Sequence, residues 1–406
     1  MAPSPLLPVP EALARILASA PHGLPSENVP LALAAGRTLA ADLAARRTQP
    51  PSDVSAMDGY ALIFDDIAHV PATLDVIGAS SAGHGFAGEV TRGKAVRIFT
   101  GAPVPKGADT VLIQENTKVE GARVMAVENE PRGHNIRKAG LDFVAGQTLL
   151  PQGRRLGAPE LALAAAMNHA TLPVARKPRV ALLATGDELV APGQEPGPDQ
   201  IVASNTFAVA AYAEAAGAEV IDLGIAGDTF AALEAAIKSA RDAKVDVLVT
   251  VGGASVGDHD LVQTALTREG MELGFWKIAM RPGKPLMHGR LGDMRILGLP
   301  GNPVSAIVCA VLFLVPLVRA LSGDPDAGRD TSAAAVLGGD LKANDSRQDY
   351  LRATLAPAGD GLPIATPFGR QDSSMLRTLA DSQCLVIRPA FAPVAKAGDP
   401  CRIVRL

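Results

Sequence analysis

Val245–Asp260, VDVLVTVGGASVGDHD, decides the fold. From Val245 to Val251 it is almost continuously apolar, the pattern of a strand covered on both faces in a parallel sheet. A glycine turn follows at its carboxyl end. Gly252, Gly253 and Gly257 let the backbone take positive φ and approach a ligand closely, and Ser255 adds a hydroxyl to the N–H groups. Asp258 and Asp260 then bring negative charge. An anion cradle beside carboxylates fits a phosphate ligand with a bridging divalent cation, because bare carboxylates would repel phosphate. The same residues also suit an ordinary strand-to-helix turn with solvated aspartates.

The arrangement recurs. Arg179–Leu189, RVALLATGDEL, is an apolar strand running into Thr185 and Gly186 and then Asp187 and Glu188. Glu219–Asp228, EVIDLGIAGD, does the same with Asp228. In an open α/β sheet, ligands bind outside the carboxyl ends of the strands, so these acids would converge there. Each could instead be a helix cap or a turn residue. Phe275–Leu286, FWKIAMRPGKPL, reads as a fourth strand and supplies the opposite charge through Lys277, Arg281 and Lys284. In Arg295–Pro303, RILGLPGNP, a strand enters a Pro300-Gly301 turn, with Asn302 as N-cap and Pro303 as first residue of a helix reaching about Leu321. The N–H groups at that helix start would form an anion site.

Together, TGDEL at Thr185–Leu189, GGASVGDHD at Gly252–Asp260, RPGKP at Arg281–Pro285 and LPGNPVSA at Leu299–Ala306 resemble the molybdopterin molybdenumtransferase family, known as MoeA in bacteria and as the gephyrin E-domain in animals. PPSDVSAMDGYAL at Pro50–Leu62 and FTGAPVPKGADTVLIQE at Phe99–Glu115 carry the same resemblance outside the α/β region. It implies an enzyme that inserts molybdate into adenylylated molybdopterin and releases AMP. It further implies a Mg²⁺ cofactor held by a subset of Asp187, Glu188, Asp228, Asp258 and Asp260. Lys277, Arg281 and Lys284 would line the anionic side, although Arg281 stands where family members often carry Lys. Asp58, Thr100 and Asp142 match positions associated with activity, and Ser373, Arg347 and Arg352 resemble weaker features. A homodimer with composite active sites is implied, as is contact with an adenylyltransferase and with molybdoenzyme-maturation proteins. Two rival readings are the adenylyltransferase itself, usually a single small domain, and a non-catalytic gephyrin-like scaffold. The MDGY and FTGAPVP regions count against the first, and the retained acids and cations against the second.

Composition fits a cytoplasmic enzyme. A net charge of −4 and 3% aromatic residues argue against a nucleic-acid partner. No apolar run reads as membrane-spanning, and the start MAPSPLLPVPEALARIL lacks the features of a signal peptide. Cys309, Cys384 and Cys401 show no metal-ligand spacing and read as reduced packing residues. The histidines, His259 included, show no zinc-like pairing.

At 406 residues the chain should divide into several domains. The expected fold is multidomain α/β plus β. Residues 1–50 and 141–177 form a helical and linker domain, with amphipathic helices over Pro10–Ala20, Pro30–Ala44 and Pro159–His169. Residues 51–140 form an inserted β domain, including a strand over Lys118–Val127. Residues 178–325 form a doubly wound α/β domain of the MoaB/Mog type, and 326–406 a small C-terminal β barrel.

Overall fold

Two strands at the centre of the α/β region, Arg179–Thr185 and Val247–Val251, pair in parallel and are buried along nearly their whole length. Glu219–Ala226 adds in parallel on one side and Met294–Leu299 on the other. Antiparallel Met287–Leu291 and Glu272–Trp276 complete the six-stranded sheet. The computed structural model describes residues 6–20, 23–253, 261–359 and 361–406. Alternate side chains of the central strands point to opposite faces, as the pleat requires. Val180, Leu182, Val247 and Val249 meet helices Asn205–Ala216 and Pro303–Leu321, while Ala181, Leu183 and Leu248 meet helices Phe230–Asp242 and Leu261–Arg268. The sheet is doubly wound, which is why its strands read as continuous apolar runs.

Helix Pro303–Leu321 corrects one expectation. It is long and apolar enough to cross a membrane by length and composition alone, yet two-thirds of it is buried inside the protein. Phe313, Leu314, Leu317, Val318 and Leu321 are buried in the core formed with the sheet. The helix carries a π-helical turn over Ala310–Leu314, just ahead of Pro316. Proline lacks the N–H that an α-helical ladder needs, and a local widening accommodates that loss. Cys309, on the same helix, is fully buried, and burial pushes its thiol far above the ordinary range.

Three further expectations change. Pro30–Ala44 is not a helix. Ser26–Pro30 pairs antiparallel with Thr171–Ala175, and Leu43–Ala44 pairs with Thr148–Leu150. Gly36 between them takes φ 72°. The long-range strand partners outweigh the helix propensity of the alanines and leucines. Lys118–Val127 is two strands, Thr117–Glu120 and Arg123–Ala126, folded into a hairpin at Gly121. Phe275–Leu286 is not one strand. It leaves the sheet at Lys277, where φ is 74°, and Met280–Arg281 pairs instead with Gln348–Asp349 of the C-terminal region.

Between residues 59 and 126, a six-stranded sheet orders as 110–113, 59–62, 94–98, 72–80, 123–126 and 117–120. Helices Val9–Ala18 and Ala158–Ala166 flank the mixed N-terminal region, and the first buries Val9, Ala12 and Ile16 in the α/β core. At the C-terminal end, strands 348–356, 364–367, 333–337, 400–405 and 384–388 follow one another, and the last pairs back to the first, closing a five-stranded barrel.

Entry of the chain into the α/β sheet is fixed by a charge clasp. Arg176 donates two bonds to the Asp246 carboxylate, at 2.8 and 2.7 Å, and the N–H of Arg179 donates to the same group at 2.8 Å. The Asp246 bond holds the Arg176 guanidinium above its ordinary range. Removing one member would strand the other charge, partly buried, without a partner. Asp246→Ala should therefore cost about 3 kcal/mol of stability, read as a lower denaturant midpoint, whereas an unchanged midpoint would show the clasp to be dispensable.

Candidate functional site

A cavity of about 750 Å³ opens at the carboxyl ends of the central strands. Among the sequence-predicted residues, Thr185, Glu188, Gly252, Gly253, Lys284, Pro300, Gly301 and Asn302 line it. Its volume lies in the usual range for small-molecule sites. A second cavity, of about 600 Å³, sits between helix Val9–Ala18 and residues 322–325, away from these strand ends.

The cradle is built by close approach. Gly252 takes φ 104°, and a β-carbon there would stand 2.4 Å from the Thr185 carbonyl oxygen. Gly253 takes φ 63°, and a β-carbon there would stand 2.2 Å from Cγ2 of Val262. Only glycine fits at either position. Beneath them Thr185 is 2% exposed, and its hydroxyl has no hydrogen-bond partner among the described residues. A buried hydroxyl without a partner is costly, and a ligand oxygen in the cavity would supply one.

The acids divide. Glu188 lines the cavity and folds back over Gly186. Asp187 accepts the N–H of Asp228 at 2.9 Å, which ties two strand ends together. Ser255, Gly257, Asp258 and Asp260 lie outside the described residues. Among the described residues, no three of His, Cys, Asp and Glu converge as metal ligands.

The cations divide as well. Lys284 is held in the cavity wall because the backbone on either side pairs, with Ile278 N–H donating to the Lys284 carbonyl and Lys277 N–H to that of Leu286. Lys277 places its ammonium 4.0 Å from the centroid of the Trp276 ring. Arg281 does not line the cavity. Its guanidinium bonds Asp349, Asp345 and Asn344 of the C-terminal region, and the Asp349 bond raises its pKa first among several causes. Strand pairing between Met280–Arg281 and Gln348–Asp349 carries it there.

Asn302 occupies the N-cap position of helix Pro303–Leu321 but makes no side-chain cap bond. The N–H of Val304 donates instead to the carbonyl of Ser373 at 3.0 Å, so one of the expected free donors is already used. This bond brings the C-terminal region to the cavity, and the next residue, Ser374, lines it. Arg352 is buried, at 1% exposure, rather than on the surface. It donates to Gln371 Oε1 and to the Met375 carbonyl, and so braces the segment that carries Ser373 and Ser374. Arg347 pairs with Asp345.

Sequence reasoning missed Ser204, Asn205, Thr206 and Ser374. Asn205 donates to the Gly301 carbonyl at 2.7 Å and thereby positions the Pro300-Gly301 turn. The polar triplet at 204–206 was visible as a helix start, but nothing local ties it to residue 301. Asp58 and Thr100 do meet one another: Asp58 Oδ1 accepts both the N–H and the hydroxyl of Thr100, at 2.7 and 2.8 Å. Those two bonds, the N–H first, hold the Asp58 carboxyl below its ordinary range. Asp142 is exposed and donates its N–H to Gln49. None of these three lines the cavity.

A glycine-built cavity at the strand ends of a doubly wound sheet, with Ser374 of the C-terminal region in its wall, defines a multidomain protein with a site of small-molecule size where open α/β sheets bind ligands. Residues 7–168 match the MoeA N-terminal region (domain I and II), 181–320 the "Probable molybdopterin binding domain", and 334–406 the MoeA C-terminal region (domain IV). The chain is 34% identical to the molybdopterin molybdenumtransferase of Haemophilus influenzae, over 98% of each chain. It is 36% identical to that of Bacillus subtilis, over 98% of this chain and 94% of the relative. The crystal structure of the molybdopterin biosynthesis moeA protein from Pyrococcus horikoshii OT3 matches with a TM-score of 0.85 at 27% identity, covering 99% of this chain and 100% of that one. The chain belongs to the molybdopterin molybdenumtransferase family, MoeA.

Thr185→Val should separate ligand binding from folding. Stability should hold or rise, because an unpartnered buried hydroxyl is removed, while affinity for AMP or pyrophosphate measured by calorimetry should fall about tenfold. Unchanged affinity for both probes would show that the hydroxyl meets no ligand.

Proposed function

We propose that the chain inserts molybdate into adenylylated molybdopterin with release of AMP, and that the cavity at Thr185, Gly252, Gly253 and Lys284 receives the phosphate-bearing substrate. The observation that carries this reading is a buried Thr185 hydroxyl under a glycine cradle, beside a lysine, with neither a partner for the hydroxyl nor an ion pair for the lysine among the described residues. Matches to the N-terminal and C-terminal regions as well count against a single-domain adenylyltransferase.

The reaction breaks the phosphoanhydride between the pterin phosphate and AMP and leaves molybdenum on the dithiolene sulfurs. Lys284 is suited to hold a phosphoryl oxygen as a point charge, and the Thr185 hydroxyl to donate to a neighbouring one. Preorganised donors of this kind act on charge that develops as the bond breaks. Molybdate, a tetrahedral dianion, suits the same donor types.

For a Mg²⁺ cofactor, the donor type fits, though no three ligands converge among the described residues. Glu188 and Asp228 offer carboxylate oxygens and no soft ligand, as a hard cation prefers, while one Asp187 oxygen already accepts the Asp228 N–H. Mg²⁺ would neutralise charge on the phosphate oxygens. The three cysteines are unpaired, which suits a cytoplasmic location.

The direct test supplies adenylylated molybdopterin, molybdate and Mg²⁺ and follows AMP. Molybdate-dependent AMP release is expected, and its absence from folded protein would overturn the assignment. Glu188→Gln and Lys284→Ala should each lower the rate at least tenfold without loss of folding, by about one hydrogen bond to a charged group or more.

We further propose a homodimer in which Asp58 and Thr100 of one subunit complete the cavity of the other, because no residue between 51 and 140 lines the cavity of its own chain. Mixed dimers of inactive Asp58→Ala and Glu188→Gln chains should regain one intact site. Background activity in verified mixed dimers would place both residues in one chain's site or make Asp58 structural.

A further inference from the structure

Asp58 presents its carboxylate to solvent, so packing alone does not fix it. Its position depends on bonds from two other segments. Thr100 donates twice to the carboxylate, and the N–H of Gln114 donates to the Asp58 carbonyl at 3.1 Å. One side chain binds these segments together. Arg97 Nη1 donates to the carbonyl of Gly59 at 3.0 Å, and Nη2 donates to Gln114 Oε1 at 2.6 Å. Its guanidinium carbon also lies 5.1 Å from the centroid of the Tyr60 ring and 4.9 Å from that of Phe99.

Strand register explains the convergence. Arg97 stands opposite Tyr60, Gly59 opposite Ile98, and Gly59 again opposite Ile113. Each arm of Arg97 therefore ends on Gly59, which follows Asp58, on Phe99, which precedes Thr100, or on Gln114, which donates to Asp58. Among the described residues, Arg97 has no carboxylate ion pair, and its charge assists the Thr100 bonds in keeping Asp58 ionised. Gly59 itself cannot be replaced freely, since a β-carbon there would stand 2.0 Å from the Leu112 carbonyl oxygen.

We propose that Arg97 is a positioning residue for Asp58, holding the start of strand 59–62, Thr100 and Gln114 in one arrangement so that the carboxylate is presented at a fixed point. This rests on the reading that Asp58 takes part in the molybdenumtransferase reaction. The planar, two-armed guanidinium suits this role because it stacks on a ring while bonding two acceptors. A lysine ammonium keeps the charge but does not reproduce the fork.

A double-mutant cycle on the full-length enzyme tests the inference, using AMP release as the readout. Asp58→Asn, Arg97→Met, Arg97→Lys and Asp58→Asn combined with Arg97→Met are compared. Arg97→Met should lower kcat about 100-fold, the scale of loss expected when a reacting group is displaced, with KM changed much less. Arg97→Lys should recover part of that loss. In the double variant, Arg97→Met should add nothing to the Asp58→Asn defect, because it acts through that carboxylate. If Asp58→Asn is fully active, the underlying reading of Asp58 fails. If Asp58→Asn is impaired while Arg97→Met keeps wild-type kcat, the positioning role fails; losses that multiply in the double variant overturn it too. Should Arg97→Met fail to fold, the same cycle is run with Arg97→Lys, with the same two outcomes.

Discussion

Contact between the Gly252–Gly253 turn and the end of strand Arg179–Thr185 is the constraint on which the site depends. The two central strands pair in parallel up to Ala184 and Val251, so the residues beyond them must leave the sheet side by side. With a β-carbon at Gly252 placed 2.4 Å from the Thr185 carbonyl oxygen, any side chain would force the strand ends apart. Glycine permits the approach, and the approach buries Thr185. The hydroxyl that loses water there finds no hydrogen-bond partner among the described residues.

A second consequence concerns the C-terminal barrel. Its closure does not depend on the α/β sheet, since its five strands satisfy one another around the ring. What reaches the cavity is the segment after strand 364–367. Gln371 anchors this segment by exchanging bonds with the Arg352 backbone, accepting its N–H and donating to its carbonyl, each at 3.0 Å. Ser373 then accepts the Val304 N–H, and Ser374 stands at the cavity wall. The barrel thus takes up a helix-start donor that the sequence alone would have assigned to an anion.

Much of the α/β architecture was legible because its strands carry continuous apolar runs and its turns carry glycine. Both signals are local. The errors fell where local preference met a distant partner. Pro30–Ala44 has the composition of a helix, but strands more than a hundred residues away claim it. Arg281 has the charge for the cavity, yet a two-residue strand pairing delivers it to Asp345 and Asp349. Lys284, three residues on, reaches the cavity because the turn at Gly283 brings the chain back. Spacing in sequence could not separate those two fates, since they are decided by which sheet each residue joins. The motif at Gly252 and Gly253 was readable because a glycine turn straight after an apolar strand is a local pattern, although the contact that demands glycine at 252 comes from Thr185 on a different strand.

Arg352 shows how far the coupling between regions extends. A guanidinium at 1% exposure, with no carboxylate ion pair and no bond at Nη2 among the described residues, is unfavourable in isolation, and burial lowers its pKa. The bonds to Gln371 and Met375 offset part of that cost only while the segment 371–375 stays in place. The barrel and the cavity wall therefore cannot relax independently. Movement of Ser373 away from Val304 would free a helix-start N–H and at the same time weaken the support of a buried cation. The two penalties act in the same direction, and both oppose displacement of the loop that carries Ser373 and Ser374.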